Sequence, residues 1–363
     1  MQATPKELPP LGILFDSDIG NGIDDVLALA LLYGAQGRKD VSTVVASISI
    51  TTPSLSAAAY CEALNRFIAA VANRNIPERF RRENVGTIGL AETGPGPSET
   101  PVLAKVLAEK NDAGEALYQS DVERIIDTAD PAALIRNAMT AYDDQNAIVV
   151  LTGPATNLAR VLTLNGAKEL ISAKVKFLAV TAGAFPSGEP TYNVKTDIAA
   201  AKKLFSEWPT PIVAAGHELG EQLAYPAESI ENDFNWAPRH PVVDAYRAAG
   251  TMPYDAPGGD LAAALYAARP DASYFGLSEP GTIEVLDDGS TKFTTSSAGT
   301  HRYLTADAAQ KEKIVAAYRE FVAAEPAERE LPPRFKALIE AEIKKEEEEK
   351  LKREQEAAKE PQR

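Results

Sequence analysis

Five short apolar segments recur in the first two thirds of the chain, and stretches that favour helices separate them. Because these segments are rich in Val, Ile and Leu almost without interruption, they are typical of strands buried on both faces of a sheet. The alternation of strands and helices predicts an α/β fold with a mostly parallel central sheet flanked by helices. The predicted strands are residues 12–15, 41–50, 147–152, 175–181 and 211–215, and the predicted helices are residues 24–33, 54–71, 131–142, 157–164 and 197–205.

The alternation stops after about residue 225, where the chain changes character. Helices are predicted over residues 244–250, 260–268 and 306–324, and a β-hairpin over 283–295 around the turn Asp287–Ser290. The last stretch is rich in Lys and Glu and poor in apolar residues, which predicts a charged helical or disordered tail. We therefore divide the chain into an N-terminal extension, an α/β domain and a tail, at residues 1–10, 11–330 and 331–363.

Composition excludes several classes of function and partner. The formal net charge of −15 argues against a protein that binds the nucleic-acid backbone, which would need a basic patch. A single cysteine, Cys61, excludes an intrachain disulfide and a thiolate metal cluster. We expect no membrane span, since no run of about 18 apolar residues occurs. The start of the chain carries no apolar signal segment, which fits a cytoplasmic protein or an exported protein whose leader was removed.

Four carboxylates, Asp16, Asp18, Asp24 and Asp25, lie within ten residues between the first predicted strand and its helix. Like charges this close repel, so we expect a cation to compensate them. Helix capping could explain Asp24 and Asp25, but not Asp16 and Asp18, which lie two residues apart on one side of an extended segment. The oxygen ligands suit Ca²⁺ or Mg²⁺ rather than Zn²⁺, and the ligand alternation and terminal Glu of an EF-hand are absent.

This acidic loop resembles the Asp-x-Asp-x-Gly-(x)-Asp-Asp signature of the inosine-uridine-preferring nucleoside hydrolase family. Further segments resemble that family in the same order, namely residues 151–159, 182–184 with 192–197, and 258–265. The resemblance covers about residues 11 to 325. It implies a hydrolase that cleaves the N-glycosidic bond of ribonucleosides, or of a related ribosyl compound, to ribose and free base.

Carried over residue by residue, the resemblance implies a Ca²⁺ ion and a set of site residues. The metal ligands would be Asp18, Asp25, Asp260 and the backbone carbonyl of Thr152, and Asp18 would also be the catalytic base that activates a metal-bound water. The substrate-binding residues would be Asp16, Asp24, Asn193 and Thr191, with Asp16 and Asp24 either contacting substrate or supporting the ligands from behind. The partner would be a small nucleoside or ribosyl compound, and the family often forms homodimers or homotetramers.

Other residues of these segments have competing interpretations. Asp197 is expected to cap the helix that follows it, and Asn157 either caps a helix or contacts the site. His217 is a weaker site candidate, whereas His240 and His301 are expected to be structural or exposed. A leaving-group acid or aromatic stack could come from a set that the sequence does not rank, namely Tyr254, Asp255, Trp236 and Arg239.

Departures from the family pattern affect sugar and base recognition more than the metal ligands. Many members carry His where this chain has Gly259, and Glu where it has Thr191. An Asn expected after the second strand is not evident in residues 50–54. Two alternatives therefore stay open. One is a non-catalytic sugar- or nucleoside-binding protein that keeps the calcium site, and the other is a Mg²⁺-dependent phosphohydrolase with Asp16 as its nucleophile.

Overall fold

The computed structural model describes residues 10–38, 43–76, 87–329 and 333–357. The strands are β1 Leu11–Ser17, β2 Thr43–Ile50, β3 Ile88–Leu90, β4 Ala147–Leu151, β5 Val175–Thr181, β6 Ile212–Ala215, β7 Gly276–Leu277, β8 Gly281–Val285, β9 Thr291–Thr295 and β10 His301–Thr305. The helices are α1 Asp24–Ala35, α2 Leu55–Ala72, α3 Pro101–Leu107, α4 Pro131–Thr140, α5 Thr156–Val161, α6 Ala167–Lys174, α7 Tyr192–Thr196, α8 Ile198–Glu207, α9 His217–Gly220, α10 Ala227–Asn232, α11 Pro241–Ala249, α12 Gly259–Ala268, α13 Ala308–Val322 and α14 Pro333–Ala357.

One mixed sheet joins these strands in the order β3-β2-β1-β4-β5-β6-β10-β8-β9, with β7 paired to β10 off this path. The neighbours from β3 to β10 pair in parallel, and β8 and β9 add an antiparallel hairpin at one edge. The predicted α/β fold with a mostly parallel sheet is therefore confirmed. The strand order reverses between β1 and β4, and ligands of open α/β sheets bind beside such a reversal, at the carboxyl ends of the strands.

Both faces of the sheet are buried. Along β1, Ile13 and Phe15 pack into one apolar core, whereas Leu14 packs into the other. Helix α1 lies on the first face and is buried from Asp25 to Ala35, as expected for a helix that is apolar on all sides. Helix α12 packs against α1 and is buried along most of its length. These two helices bring the start of α1 and the start of α12 together at the carboxyl edge of β1.

Most predicted elements are found near their expected bounds. The predicted strand 41–50 is observed as β2, while residues 41–42 lie outside the described residues. The hairpin is confirmed, with Ile283 paired to Phe293. Among the described residues of the tail, α14 confirms the helical alternative. No described helix has the length and apolar character that a membrane crossing needs.

Candidate active site

A group of buried carboxylates lies where β1 ends and where α1 and α12 begin. Asp18 follows β1, Asp25 lies in the first turn of α1, and Asp260 lies in the first turn of α12. These three residues are only 2%, 2% and 4% exposed, whereas Asp24 is half-buried. Carboxylate oxygens of Asp24, Asp25 and Asp260 lie within 4.8 Å of one another. Two distant segments of the sequence, the loop from β1 to α1 and the start of α12, therefore converge on one acidic cluster.

Two hydroxyl groups fix the Asp25 side chain. Ser17 Oγ and Thr152 Oγ1 each donate a hydrogen bond of 2.7 Å to Asp25 Oδ1. Thr152 follows β4, so the loops after two adjacent strands meet at this carboxylate. The close approach depends on Gly153, because a Cβ atom there would lie 2.6 Å from the Asp18 backbone nitrogen. A side chain at residue 153 would thus push the two loops apart.

The electrostatics of this group favour a cation. Burial, followed by the negative charge of Asp24, raises the pKa of Asp18 to about 7. Burial and the neighbouring carboxylates also raise the pKa values of Asp25 and Asp260 well above their ordinary value. Asp18 Oδ2 is buried and has no hydrogen-bond partner among the described residues. Such a cluster must take up protons or bind a positive ion, since ionised carboxylates are costly to bury without a partner.

The donor atoms fit a hard divalent cation. Calcium binds oxygen at about 2.3–2.6 Å, so two oxygens on one ion lie at most roughly 5 Å apart. The oxygens of Asp24, Asp25 and Asp260 satisfy this limit, and Asp18 and Thr152 line the same cavity. The structure thus groups Asp24 with two of the predicted ligands, Asp25 and Asp260. The other two predicted ligands, Asp18 and Thr152, line the same cavity.

A cavity of about 240 Å³ opens above these carboxylates. We call its buried polar lining residues the floor, namely Asp18, Asp25, Thr152 and Asp260. We call its exposed polar lining residues the rim, namely Asn21, Tyr192, His217 and Glu221. The described lining residues include no Lys or Arg, so no such cation neutralises the floor.

Two residues predicted to bind substrate lie in the wall between floor and rim. Asn193 Nδ2 donates to the carbonyl oxygens of Thr152 and Thr181, at 2.7 and 2.8 Å. Both amide hydrogens are therefore engaged, and a sugar hydroxyl would have to donate to Asn193 Oδ1. Thr191 lines the cavity and its Oγ1 accepts a hydrogen bond of 3.1 Å from the Gly183 backbone nitrogen. The hydroxyl hydrogen of Thr191 can therefore be donated to another acceptor.

The structure places Asp16 behind the cavity rather than in its lining. This residue is 1% exposed, is not among the cavity-lining residues, and accepts a hydrogen bond of 2.9 Å from Asn157 Nδ2. Asp16 belongs to β1 and its side chain lies on the same face as Leu14, where α5 packs. It supports the site from behind. Asn157 therefore binds a carboxylate rather than capping a helix, while Asp197 caps α8 as expected.

None of the four unranked candidates for the leaving-group acid lines the cavity. The Tyr254 hydroxyl donates to the Tyr246 carbonyl, and Trp236 Nε1 donates to the Ala323 carbonyl. Asp255 accepts from the Ala227 backbone nitrogen, and Arg239 pairs with Asp244 and Glu109. The rim consists of exposed polar residues on loops and on short helices, which leave no periodic signal in the sequence.

The three histidines differ in their surroundings. His240 and His301 are buried, as one of the two alternatives expected for them. Their Nδ1 atoms accept hydrogen bonds from the backbone nitrogens of Val242 and Ile283. His217 is exposed and lines the cavity. The structure therefore brings one of the three imidazoles to the site.

Comparison of the sequence with protein families identifies one family over most of the chain. Residues 13–324 match the family model described as inosine-uridine preferring nucleoside hydrolase. No curated protein matches the sequence significantly. The matched residues contain the acidic loop, the Thr152 segment, Asn193 and Asp260.

Solved structures with a similar fold include nucleoside hydrolases from different organisms. A plant nucleoside hydrolase shares 18% identity with a TM-score of 0.61, over 87% of this chain and 100% of that chain. A purine-preferring ribonucleoside hydrolase from Gardnerella vaginalis shares 15% identity with a TM-score of 0.61, over 86% and 98% of the two chains. An inosine-uridine preferring nucleoside hydrolase from Bacillus anthracis shares 14% identity with a TM-score of 0.57, over 85% and 99%. At these identities the likeness shows the fold alone.

Proposed function

The chain belongs to the inosine-uridine preferring nucleoside hydrolase family, a family of N-ribohydrolases, and we propose that it hydrolyses the N-glycosidic bond of ribonucleosides with Ca²⁺ as its cofactor. The products would be ribose and the free base. The observation that carries this proposal is the floor of the cavity, where buried carboxylates from two distant segments converge without a Lys or Arg among the described lining residues.

Calcium is the ion that the donor set favours. The floor offers carboxylate oxygens and a backbone carbonyl, and these hard ligands suit Ca²⁺ better than a metal that prefers nitrogen or sulfur. We assign Asp18, Asp25, Asp260 and the Thr152 carbonyl as the residues that would hold it. When bound, calcium would supply positive charge close to the sugar and would favour deprotonation of a nearby water. Asp24, which is half-buried, would be left to face the substrate.

The residues of the cavity divide the remaining work. Asp18 would take the proton from the attacking water, because its unpartnered Oδ2 provides an acceptor at the floor. Asp24 and Asn193 Oδ1 would accept hydrogen bonds from sugar hydroxyls, and Thr191 would donate its own. These contacts would hold C1′ of the ribose over the floor and reduce the entropic cost of reaching the transition state.

The two alternative functions, a phosphohydrolase and a non-catalytic binding protein, make different demands on the site. An aspartyl phosphohydrolase needs Asp16 as an accessible nucleophile, but Asp16 is buried and bonded to Asn157. That alternative is therefore disfavoured. A non-catalytic binding protein would use the same floor and wall but would release no product, so activity measurements separate it from the proposed enzyme.

The proposal is tested by ribose release from a panel of purine and pyrimidine ribonucleosides, with Ca²⁺ present and after chelation. We expect release that chelation abolishes and that Asp18→Asn lowers by about 10³-fold or more, while folding is retained. Glu284→Gln, at an exposed position of β8, serves as the control and should match the wild type. Nucleoside binding without release would favour the binding protein, and release that survives chelation would contradict the calcium assignment.

We further propose that residues 11–330 form the catalytic unit and that the chain assembles as a homodimer or homotetramer. Both follow from the family resemblance. Light scattering of the full chain measures the oligomeric state, and a monomer at micromolar concentration would contradict that part of the proposal.

A further inference from the structure

Two glycines bring α9 against the start of α12. A Cβ atom added to Gly220 would lie 3.1 Å from the Gly259 Cα atom, and one added to Gly259 would lie 3.3 Å from a methyl group of Thr181. The two backbones therefore meet with little space for side chains between them. Gly259 is also the position where many family members carry His. In this chain the position has no side chain, and the neighbouring helix α9 occupies that side of the cavity.

Helix α9 carries its first residue, His217, to the rim. The His217 backbone nitrogen donates a hydrogen bond of 2.9 Å to the Gly183 carbonyl, which fixes the start of the helix beside the cavity. The imidazole is exposed and makes none of the hydrogen bonds that hold His240 and His301 in the fold. Glu221 lies four residues later, and its backbone nitrogen donates to the His217 carbonyl. Residues at this spacing share one helix face.

We propose that His217 is the acid that protonates the departing base, a role that rests on the proposed ribonucleoside hydrolysis. As the C1′–N bond breaks, its electron pair leaves with the base, and the proton of the His217 imidazolium neutralises the base at one of its ring acceptors. The attacking water forms the new C1′–O bond and gives its proton to Asp18. Solvent then returns a proton to His217 and accepts the one from Asp18, so one nucleoside and one water yield ribose and free base.

The chemistry of the rim selects His217 for this role. An amide such as that of Asn21 has no proton to give at neutral pH. As chemical classes, a phenol holds its proton more tightly than the reaction requires, and a carboxylic acid has lost its proton at neutral pH. An imidazole gains and loses a proton close to neutral pH, which suits general acid catalysis. His217 and the base Asp18 line the same cavity from different elements, α9 and the loop after β1.

The test compares leaving groups that do and do not need a proton. His217→Gln would be assayed on inosine and uridine, and on p-nitrophenyl β-D-ribofuranoside, whose p-nitrophenolate leaves without protonation. We expect kcat/KM on the two nucleosides to fall by about 10²–10³-fold, and on the aryl riboside by less than about threefold. Glu284→Gln is the matched surface control. In His217→Ala, added imidazole should restore part of the nucleoside activity.

Two results would contradict the role of His217, and both can be told apart from a failure of the proposed function. Equal losses on all three substrates would assign His217 a structural or sugar-positioning role, and unchanged activity on the nucleosides would remove it from the reaction. Either result overturns the inference while the wild-type enzyme still hydrolyses nucleosides. If the wild-type enzyme releases ribose from neither the nucleosides nor the aryl riboside, the proposed function fails and this inference falls with it.

Discussion

The floor and the rim of the cavity are built in opposite ways. Every floor residue is buried, and Asp25 receives two short hydrogen bonds from Ser17 and Thr152. Every rim residue is exposed, and α9, which carries His217, is only four residues long. The floor is therefore fixed by the packing of β1, β4, α1 and α12, whereas the rim depends on local loop geometry.

This difference bears on which positions of the cavity can change. A change in the floor would leave buried charges unpaired, which costs several kcal/mol per ion, so the floor tolerates little change. A change at the rim costs little stability, because exposed substitutions are usually within about 0.5 kcal/mol. The losses at Thr191 and Gly259 lie outside the floor, in the wall and at the α9 contact. Metal chemistry and base recognition can therefore diverge separately.

Among the variants that compare floor with rim through calcium binding, the largest effect is expected at Asp25. Asp25→Asn removes one negative charge from the cluster and replaces an acceptor of two hydrogen bonds with an amide. We expect Ca²⁺ affinity to fall on the order of 100-fold, with a comparable loss of kcat/KM on every substrate at limiting calcium. Isothermal titration of chelated protein measures the affinity.

The matched rim variant is Glu221→Gln, which also removes one carboxylate charge. Because Glu221 is exposed, we expect its Ca²⁺ affinity to stay within about twofold of the wild type. Equal effects of the two variants on calcium binding would break the distinction between floor and rim.

A smaller effect is expected from the hydroxyl that supports Asp25. Thr152→Val keeps the backbone carbonyl but removes the donor to Asp25 Oδ1, and we expect about 10-fold weaker Ca²⁺ binding. Thr152→Ser keeps the hydroxyl and should bind calcium nearly as well as the wild type. Weak binding in both variants would mean that packing of the Thr152 methyl group, rather than its hydrogen bond, supports the site.

The pH dependence of stability reports on the floor without any substrate. Burial raises the pKa of Asp18 from an ordinary 3.8 to about 7. A raised carboxyl pKa stabilises the folded state below the unfolded-state value, and this contribution is lost as the pH rises through about 7. We therefore expect the Tm of chelated protein to fall between about pH 4 and 7.5, and the increase in Tm caused by Ca²⁺ to grow with pH. An increase in Tm on adding Ca²⁺ that is the same at about pH 4 and about pH 7.5 would contradict this expectation.

The smallest effect is expected from the tail. The described side chains of α14 are mostly exposed, so deletion of residues 331–363 should change kcat/KM by less than about twofold. Activity assays and light scattering of the shortened chain check this, since a tail that holds subunits together would change the oligomeric state instead.

The sequence predicted the fold and the floor because both leave strong local signals. Strands buried on both faces produce continuous apolar runs, and four carboxylates between apolar elements call for a compensating ion. The sequence analysis did not predict β3 and β10, because short strands and strands of mixed polarity leave weak local signals. β3 has only three residues, and β10, His301–Thr305, mixes polar and apolar residues.

The role of Asp16 was not predictable from spacing alone. Two residues apart in an extended strand, Asp16 and Asp18 would point to one side, but β1 ends at Ser17 and the alternation does not reach Asp18. Asp16 instead meets Asn157 of α5, a contact between residues 141 positions apart in sequence. The position of His217 likewise depends on the contact between Gly220 and Gly259, which no periodic pattern encodes.

We propose that ribosyl hydrolysis requires a calcium ion held by the floor. The most direct test adds Ca²⁺ stepwise to chelated protein and measures bound calcium and ribose release from inosine and uridine in the same samples. The account predicts that activity rises in proportion to occupancy and reaches its maximum at one tightly bound Ca²⁺ per chain. Full activity in the chelated protein, or complete calcium binding without ribose release, would contradict it.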